Sequence, residues 1–242
     1  MSEKNKRAKR WKEAQESEFK FYSHIKKEEK FSKDFSYSPN ALNYKFERWG
    51  IRDFDGNTIL EVGCNVFGPL HYIRGKGTFK VGIDPLLGTL YEEVAAKDIF
   101  YIRGVGENLP FGDEEFDVVL CHNVLDHVNN PRKAVEEIHR VLKPRGAFLL
   151  CVNTHPNIIR MFSPVLNSLD KEHPYHLGSG QIQNIVRSHR FNINKFVTVK
   201  GFDTSEPKYG LLKRLLKSFK LKPFFAFFLI STLYITATKS KE

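Results

Sequence analysis

Two acidic residues, Glu61 and Asp84, lie at the ends of apolar runs and next to glycine-containing turns. The segment Thr58–Gly68 reads TILEVGCNVFG, in which TILEV favours a buried strand and the two glycines favour a tight turn. A second apolar run covers Phe79–Ile83, and Asp84 follows it directly. An acid at the end of the second strand of a βαβ unit is placed to accept hydrogen bonds from ribose hydroxyls. The pattern therefore predicts a nucleotide-type cofactor site, although tight βα turns need glycine whatever they bind.

Histidines supply the second candidate chemistry, because an imidazole is suited to act as a general base near neutral pH. Five of them lie in segments expected near the same pocket: His122, His127, His155, His173 and His176. A metal pair at His173 and His176 is an alternative, but no acidic cluster of clear ligand spacing accompanies them. We therefore predict no metal site, and structural roles for these histidines remain open.

The elements that must position these residues alternate between strand-like and helix-like runs, which favours an α/β fold with a mostly parallel sheet. Strands are predicted at Thr58–Gly63, Phe79–Ile83, Ile99–Arg103, Phe116–His122, Ala147–Val152, Phe191–Val199 and Leu229–Thr238. Helices are predicted at Ala41–Trp49, Pro69–Lys76, Leu86–Ala96, Pro131–Leu142, Ser179–His189 and Tyr209–Phe219. Ligand is expected beyond the C-terminal ends of the first four strands.

A longer pattern runs through Tyr101–Leu150, YIRGVGENLPFGDEEFDVVLCHNVLDHVNNPRKAVEEIHRVLKPRGAFLL. It contains G-x-x-E-x-L-P-F, then F-D-x-V, a V-L-x-H segment and R-V-L-K-P-x-G, in that order. Together with E-V-G-C-N-V-F-G, it resembles the class I S-adenosylmethionine (SAM)-dependent methyltransferases, in the group that includes the ubiquinone/menaquinone methyltransferases. The resemblance covers Thr58–Val152. It implies a Rossmann-like seven-stranded sandwich with strand order 3-2-1-4-5-7-6 and an antiparallel last strand.

The resemblance also implies SAM as cofactor, with the turn after the first strand at its methionine end and Asp84 on its ribose. The positions expected to hold it are Glu61, Gly63, Cys64, Asn65, Gly68, Asp84, Pro85, Gly106, Glu107, Asn108, Leu109, His122, Asn123 and Val124. Two positions depart from the family pattern. Asn65 replaces the middle glycine of the turn, and Val105 replaces an acid that often binds the adenine amino group. Adenine recognition then falls to backbone around Gly106 and Glu107, or to apolar packing.

Three histidines are the catalytic candidates. His127, in V-L-D-H-V, matches a family position that is often His, as a base or substrate ligand. His173 and His176 lie in D-K-E-H-P-Y-H, which resembles an H-P-x-H stretch before a helix in related members. That segment is expected to form part of the substrate wall.

The charge and composition bound the class of protein. The chain has 242 residues, of which 41% are hydrophobic and 27% are charged, which is typical of a globular protein.

We predict an N-terminal helical extension at residues 1–50, whose Trp11, Phe19, Tyr22 and Ile25 form an apolar stripe at helical spacing. A methyltransferase domain follows at 51–242. The stripe is expected to pack on the domain, to cap the site or to mediate a homodimer.

The cysteines and the apolar segments indicate the cellular location. Cys64, Cys121 and Cys151 lie in or beside predicted buried strands, as reduced thiols of a cytoplasmic protein do. No secretory signal is visible, and the apolar stretch Phe224–Ala237 is too short to span a membrane. The basic segment Tyr209–Phe219 leaves a peripheral membrane contact open.

Three functions remain from the sequence. The first is methyl transfer from SAM to a small-molecule or saccharide acceptor, with oxygen as the expected acceptor atom. The second is methylation of RNA or protein, motivated by the net charge of +10 but lacking an N-P-P-Y or D-P-P-Y motif. Solvated basic tails explain the same charge. The third is a non-catalytic protein of the same fold that serves as a binding or scaffold subunit.

Overall fold

The computed structural model describes residues 3–27, 45–65, 68–88, 96–156, 174–200 and 231–240. Its helices are α1 (Glu3–Lys27), α2 (Pro131–Val141) and α3 (Ser179–Ser188), with a 3-10 helix at Pro69–Tyr72 and helical residues at 45–49. Its strands are β1 (Thr58–Val62), β2 (Phe79–Asp84), β3 (Phe100–Arg103), β4 (Phe116–His122), β5 (Leu142–Thr154), β6 (Phe191–Lys200) and β7 (Ser231–Lys239).

The seven strands form one sheet in the order β3-β2-β1-β4-β5-β7-β6. β7 runs antiparallel to both β5 and β6, and the other pairings are parallel. The predicted fold class and strand order are confirmed. The chain order reverses between β1 and β4, where Val62 pairs with Ile83 of β2 on one side and with Cys121 of β4 on the other. The C-terminal ends of these three strands therefore meet at the topological switch point, where open α/β sheets bind ligands.

Both faces of the sheet are buried, which explains the continuous apolar runs of its central strands. Leu60 belongs to a cluster that includes Ile138 of α2 and Ile182 of α3. Its neighbour Ile59 points to the opposite face and joins a cluster that includes Trp49. The three cysteines are buried and form no disulfide.

The helix predicted at Pro69–Lys76 is wrong beyond Tyr72. Ile73 is already extended, and Gly75 lies where an added Cβ would come within 2.2 Å of Thr78 Oγ1. The backbone N–H of Lys76 donates to Asp55 Oδ1 at 2.8 Å. The chain therefore turns back toward β2 at this point, because packing between two loops overrides the local helix preference.

Two further differences concern the ends of elements. β5 begins at Leu142 rather than Ala147, because Leu142 pairs with Phe116 before a register shift. In α1, Phe19 keeps 40% of its surface exposed, so it does not pack on the domain, whereas Ala14 is fully buried. A homodimer contact of the apolar stripe stays a prediction.

Several predicted features lie outside the described residues. They are His173, the basic helix Tyr209–Phe219 and most of the helix Leu86–Ala96, of which residues 86–88 form a turn. Among the described residues, no helix has the length and apolar character needed to cross a membrane.

Candidate functional site

Asp84 joins the loop after β1 to the loop after β2. Its Oδ2 accepts the backbone N–H of Asn65 at 3.1 Å, and its Oδ1 accepts that of Leu86 at 2.9 Å. The backbone N–H of Gly63 donates to Ile83 O at 2.7 Å, so the two strand ends are also bound to each other. Each carboxylate oxygen has the capacity to accept a second hydrogen bond. The half-buried carboxylate is therefore fixed at the switch point, at the place that the sequence predicted for a ribose-binding acid.

The turn after β1 requires its glycine. Gly63 has φ of +70°, and a Cβ there would lie 2.2 Å from Cγ2 of Val124. The loop after β4 thus lies directly against the loop after β1. Asn65, with φ of 46°, occupies the left-handed region that Asn tolerates better than other side chains. The substitution of the family's middle glycine by Asn65 therefore fits the backbone of this turn.

Glu61 is a fully buried carboxyl group under the same turn. Its Oε2 accepts the backbone N–H of Leu70 at 2.9 Å, and Oε1 has no hydrogen-bond partner among the described residues. Burial raises the pKa of Glu61 to about 8, although the Leu70 N–H and the charge of Lys45 oppose the increase. A Cβ at Gly68 would lie 2.4 Å from Oε1, so Gly68 leaves room for this carboxyl group.

Lys45 brings a second buried group to this region. Its ammonium donates to Nε2 of His122 at 2.8 Å, and Lys45 has no exposed surface. Because Lys45 has only donors, Nε2 must be the acceptor, which makes His122 neutral with its proton on Nδ1. The indole of Trp49 lies edge-on to the His122 ring, with centroids 6.4 Å apart. His122 is therefore a member of a buried polar pair at the end of β4.

The loop after β3 is fastened to the segment before α2. Oε1 of Glu107 accepts the backbone N–H groups of Asn129 at 2.6 Å and Asn130 at 3.0 Å. A Cβ at Gly106 would lie 2.9 Å from Cγ1 of Val62, so the backbone passes close to the end of β1. The side chain of Glu107 thus positions the α2 N-terminus, whereas the backbone of Gly106 faces the end of β1.

Two charged residues of α2 hold the rest of that loop. Glu137 Oε2 accepts the backbone N–H of Leu109 at 3.1 Å, and Arg140 donates to Leu109 O at 3.0 Å. Arg140 also pairs with Glu137 at 2.8 Å. Asn108, in the same loop, donates its backbone N–H to Val105 O at 3.2 Å. The loop is therefore held by hydrogen bonds at Val105, Glu107 and Leu109.

His127 lies in the turn after β4, with only 9% of its side chain exposed. Its backbone N–H donates to Val124 O at 2.8 Å, so it belongs to the turn that contacts Gly63. Nδ1 lies 3.5 Å from Oε1 of Glu18 in α1, and Nε2 lies 4.0 Å from Oδ1 of Asp126. The imidazole thus lies between two carboxylates beside the switch point.

The other predicted histidines are arranged differently. The rings of His155 and His176 meet edge to face with centroids 5.0 Å apart, and His176 is buried. The backbone N–H of His155 donates to Leu177 O at 2.9 Å. Within the described ranges, no group of three or more His, Cys, Asp or Glu side chains is arranged to hold a metal ion.

The remaining predicted cofactor positions lie along the same edge of the sheet. Cys64 is buried, and its Sγ would lie 2.7 Å from a Cβ at Gly82. Pro85 begins the turn after β2, and Asn123 has φ of 54° and donates its backbone N–H to Cys151 O at 2.8 Å.

Sequence reasoning missed Lys45 and Glu18 as members of this region. Both precede Thr58, where the matching pattern begins. Neither lies in the stretch Thr58–Val152, and Lys45 reaches its histidine across 77 residues of chain.

Known proteins match the same region of the chain that carries the sequence motifs. Residues 60–150 match the family described as "Methyltransferase domain". An uncharacterised protein of Methanocaldococcus jannaschii is 42% identical over 132 residues, which is 50% of this chain and 58% of that protein. The ubiquinone biosynthesis O-methyltransferase of Pseudomonas paraeruginosa is 30% identical over 54% of this chain and 58% of its own length. A tRNA U34 carboxymethyltransferase of Campylobacter curvus is 31% identical over 40% and 35%, respectively. Each alignment therefore spans only part of the relative.

Solved structures share the fold at lower sequence identity. A methyltransferase-type protein of Bacillus halodurans has a TM-score of 0.63 and 19% identity, covering 84% of this chain and all of the other. The phosphoethanolamine N-methyltransferase 2 of Haemonchus contortus, in complex with S-adenosyl-L-methionine, has a TM-score of 0.59 and 16% identity, covering 84% and 53%. Residues 60–150 therefore match a methyltransferase domain, the solved structures share the fold of the chain, and SAM is the cofactor that the resemblance in sequence implies.

The residues present fit this cofactor. The turn at Gly63 has room only for a glycine, Glu61 keeps an acceptor oxygen without a partner in the described part of the chain, and Asp84 stands half-exposed at the end of β2. A glycine turn, a buried carboxyl oxygen and a half-exposed carboxylate are groups that an amino acid joined to a ribose requires.

Proposed function

We propose that this protein transfers the methyl group of SAM to an oxygen atom of a small-molecule or glycan acceptor. The observation that carries the proposal is the position of His127. Its turn lies against the glycine turn after β1, through Val124 and Gly63. An imidazole beside the expected methyl-transfer site is the group that an oxygen nucleophile needs as a base.

The cofactor residues have distinct roles in this proposal. Asp84 binds the ribose hydroxyls, and the backbone of Gly63–Asn65 passes along the methionine end. Oε1 of Glu61 accepts a hydrogen bond from the cofactor's amino group once the carboxyl group has lost its proton, which the positive charge of that amino group favours. Backbone at Gly106 and Glu107 contacts the adenine, since Val105 has no side-chain acceptor.

SAM, when bound, supplies an electrophilic sulfonium methyl group. The chain holds the acceptor oxygen in line with that methyl group, and alignment alone contributes strongly to such a displacement. His127 would take the proton of the acceptor hydroxyl on Nε2 while the methyl group passes from the sulfur of SAM to the acceptor oxygen. The proton later passes from His127 to solvent.

The class of acceptor is supported by the similarity to a ubiquinone biosynthesis O-methyltransferase. The test is a screen of purified protein with tritiated SAM against catechol, methyl glucoside and unmodified tRNA as probe acceptors. Label transferred to catechol or the glucoside, and lost in His127→Asn, is expected. A folded protein that labels only tRNA would contradict the proposal.

RNA methylation is the second candidate, favoured by the net charge of +10 and by the similarity to a tRNA U34 carboxymethyltransferase. Phosphate binding by basic side chains weakens steeply as salt rises. Filter binding of tRNA that is tight at low salt and falls between about 50 and 200 mM salt would support this candidate.

A further inference from the structure

The N-terminal helix contributes a carboxylate to the immediate environment of His127. Oε1 of Glu18 lies 3.5 Å from His127 Nδ1, and the two side chains are only 15% and 9% exposed. A charge withdrawn from water in this way interacts more strongly with its neighbours than a charge on the surface. The carboxylate of Glu18 is therefore placed to act on the orientation of the imidazole.

One stripe of α1 faces the domain. Arg10 donates to the carbonyl of Pro174, Arg7 donates to the Tyr175 hydroxyl, and Ala14 is fully buried. Residues 7, 10, 14 and 18 follow the three- and four-residue spacing that places side chains on one helix face. Glu18 thus reaches His127 from a helix that is anchored at two other points.

The anchors of α1 and the turn of His127 belong to one hydrogen-bonded unit. The Tyr175 hydroxyl donates to Asn129 O at 2.5 Å, and the Tyr175 backbone N–H donates to Asp126 O at 3.3 Å. Asn129 in turn donates its backbone N–H to Glu107. Docking of α1 and placement of the His127 turn are therefore coupled through Tyr175.

We propose that Glu18 is a positioning residue whose carboxylate, 3.5 Å from Nδ1, favours the His127 tautomer with its proton on Nδ1 and leaves Nε2 to receive the acceptor's proton. The inference rests on the proposed function and makes α1 a part of the catalytic unit. Asp126 lies on the Nε2 side at 4.0 Å, and the positive charges of Arg7 and Arg10 lie beside Tyr175. Of the two carboxylates, Glu18 is the nearer to the ring.

The test uses the full chain labelled with ¹⁵N-histidine, in wild type, Glu18→Gln and Glu16→Gln, with His127→Asn for assignment of the His127 signals. Glu16 lies two residues away on α1 and is exposed, so it matches the change of charge without the contact. Removing an opposite charge at this distance is expected to lower the His127 pKa by about one unit or more and to increase the Nε2–H tautomer. Glu16→Gln is expected to leave both unchanged.

A second variant separates the carboxylate from the packing of the helix. Glu18→Asp keeps the charge on a shorter side chain and is expected to retain most of the wild-type His127 pKa and tautomer population. An unchanged His127 pKa and tautomer in Glu18→Gln would overturn the inference. SAM binding, measured on the same samples, reports on the proposed function: if wild type does not bind SAM, that function fails, whereas the His127 titration still decides whether Glu18 acts on the ring.

Discussion

The ammonium of Lys45 donates to Nε2 of His122 at 2.8 Å, and both side chains are buried. The same ammonium interacts electrostatically with the fully buried Glu61. The end of β4 is thus connected to the carboxyl group under the β1 turn. A residue that precedes the matched domain therefore contributes a positive charge beside the buried Glu61.

Replacing Lys45 by Met is expected to destabilise the protein. It leaves the buried Nε2 of His122 without its donor and withdraws a positive charge from Glu61. An unpaired buried polar group costs about 1–3 kcal/mol, so the free energy of unfolding in urea should fall by about that amount at pH 7. Lys76→Met, at an exposed position, is the control and should stay within about 0.5 kcal/mol of wild type. Equal effects of the two changes would show that the buried pair is not formed.

Glu61 makes the free energy of unfolding depend on pH, and the sign of that dependence follows from its pKa. Burial raises its folded-state pKa to about 8, from the 4.5 of an unburied Glu. Below pH 4.5 both states hold the proton, and above about 8 neither does. Between these values the folded state holds a proton that the unfolded state has lost, so stability falls as pH rises, by up to about 1.4 kcal/mol per pH unit. Urea titrations across this range should show that the free energy of unfolding falls with rising pH in wild type and that this fall is lost in Glu61→Gln. Glu16→Gln should keep it, and parallel wild-type and Glu61→Gln curves would refute the assignment.

Gly56 is a control position for Gly63, which lies in the turn after β1. Both have positive φ, +70° and +68°, but a Cβ at Gly56 meets nothing within 4 Å. Gly56→Ala should cost only the left-handed conformation, about 1 kcal/mol. Gly63→Ala should cost about 1–3 kcal/mol more, because the new methyl group meets Val124. Thermal unfolding of the double variant Gly63→Ala/Val124→Ala should recover part of that loss. Equal costs at the two glycines would show that the β4 loop does not lie against this turn.

The sequence predicted the sheet and the elements around the switch point closely. β4 occupies Phe116–His122 as predicted, because a buried apolar run with defined flanking turns is read locally. The helix Pro69–Lys76 failed after Tyr72, where the contact of Gly75 with Thr78 and Phe54 fixes a turn that local preference does not encode.

The partners of the site histidines were not predictable in this way. Glu18 and Lys45 lie outside the stretch that carries the resemblance, and only the packed fold brings them to His127 and His122. The apolar periodicity of α1 did not indicate these contacts. Phe19 is exposed, whereas the adjacent Glu18 is turned toward His127, because the surface that α1 covers includes the His127 ring and the carbonyl of Pro174.

The central claim is that the chain binds SAM at the end of β1 and β2 through Asp84. Isothermal titration calorimetry of wild type, Asp84→Asn and the exposed Asp53→Asn, each with SAM and with its demethylated product, tests it most directly. Wild type and Asp53→Asn should bind both ligands alike, and Asp84→Asn should bind about 100-fold more weakly, because two charge-assisted hydrogen bonds to the ribose are lost. Folded wild type that binds neither ligand, or Asp84→Asn that binds as wild type does, would contradict the account.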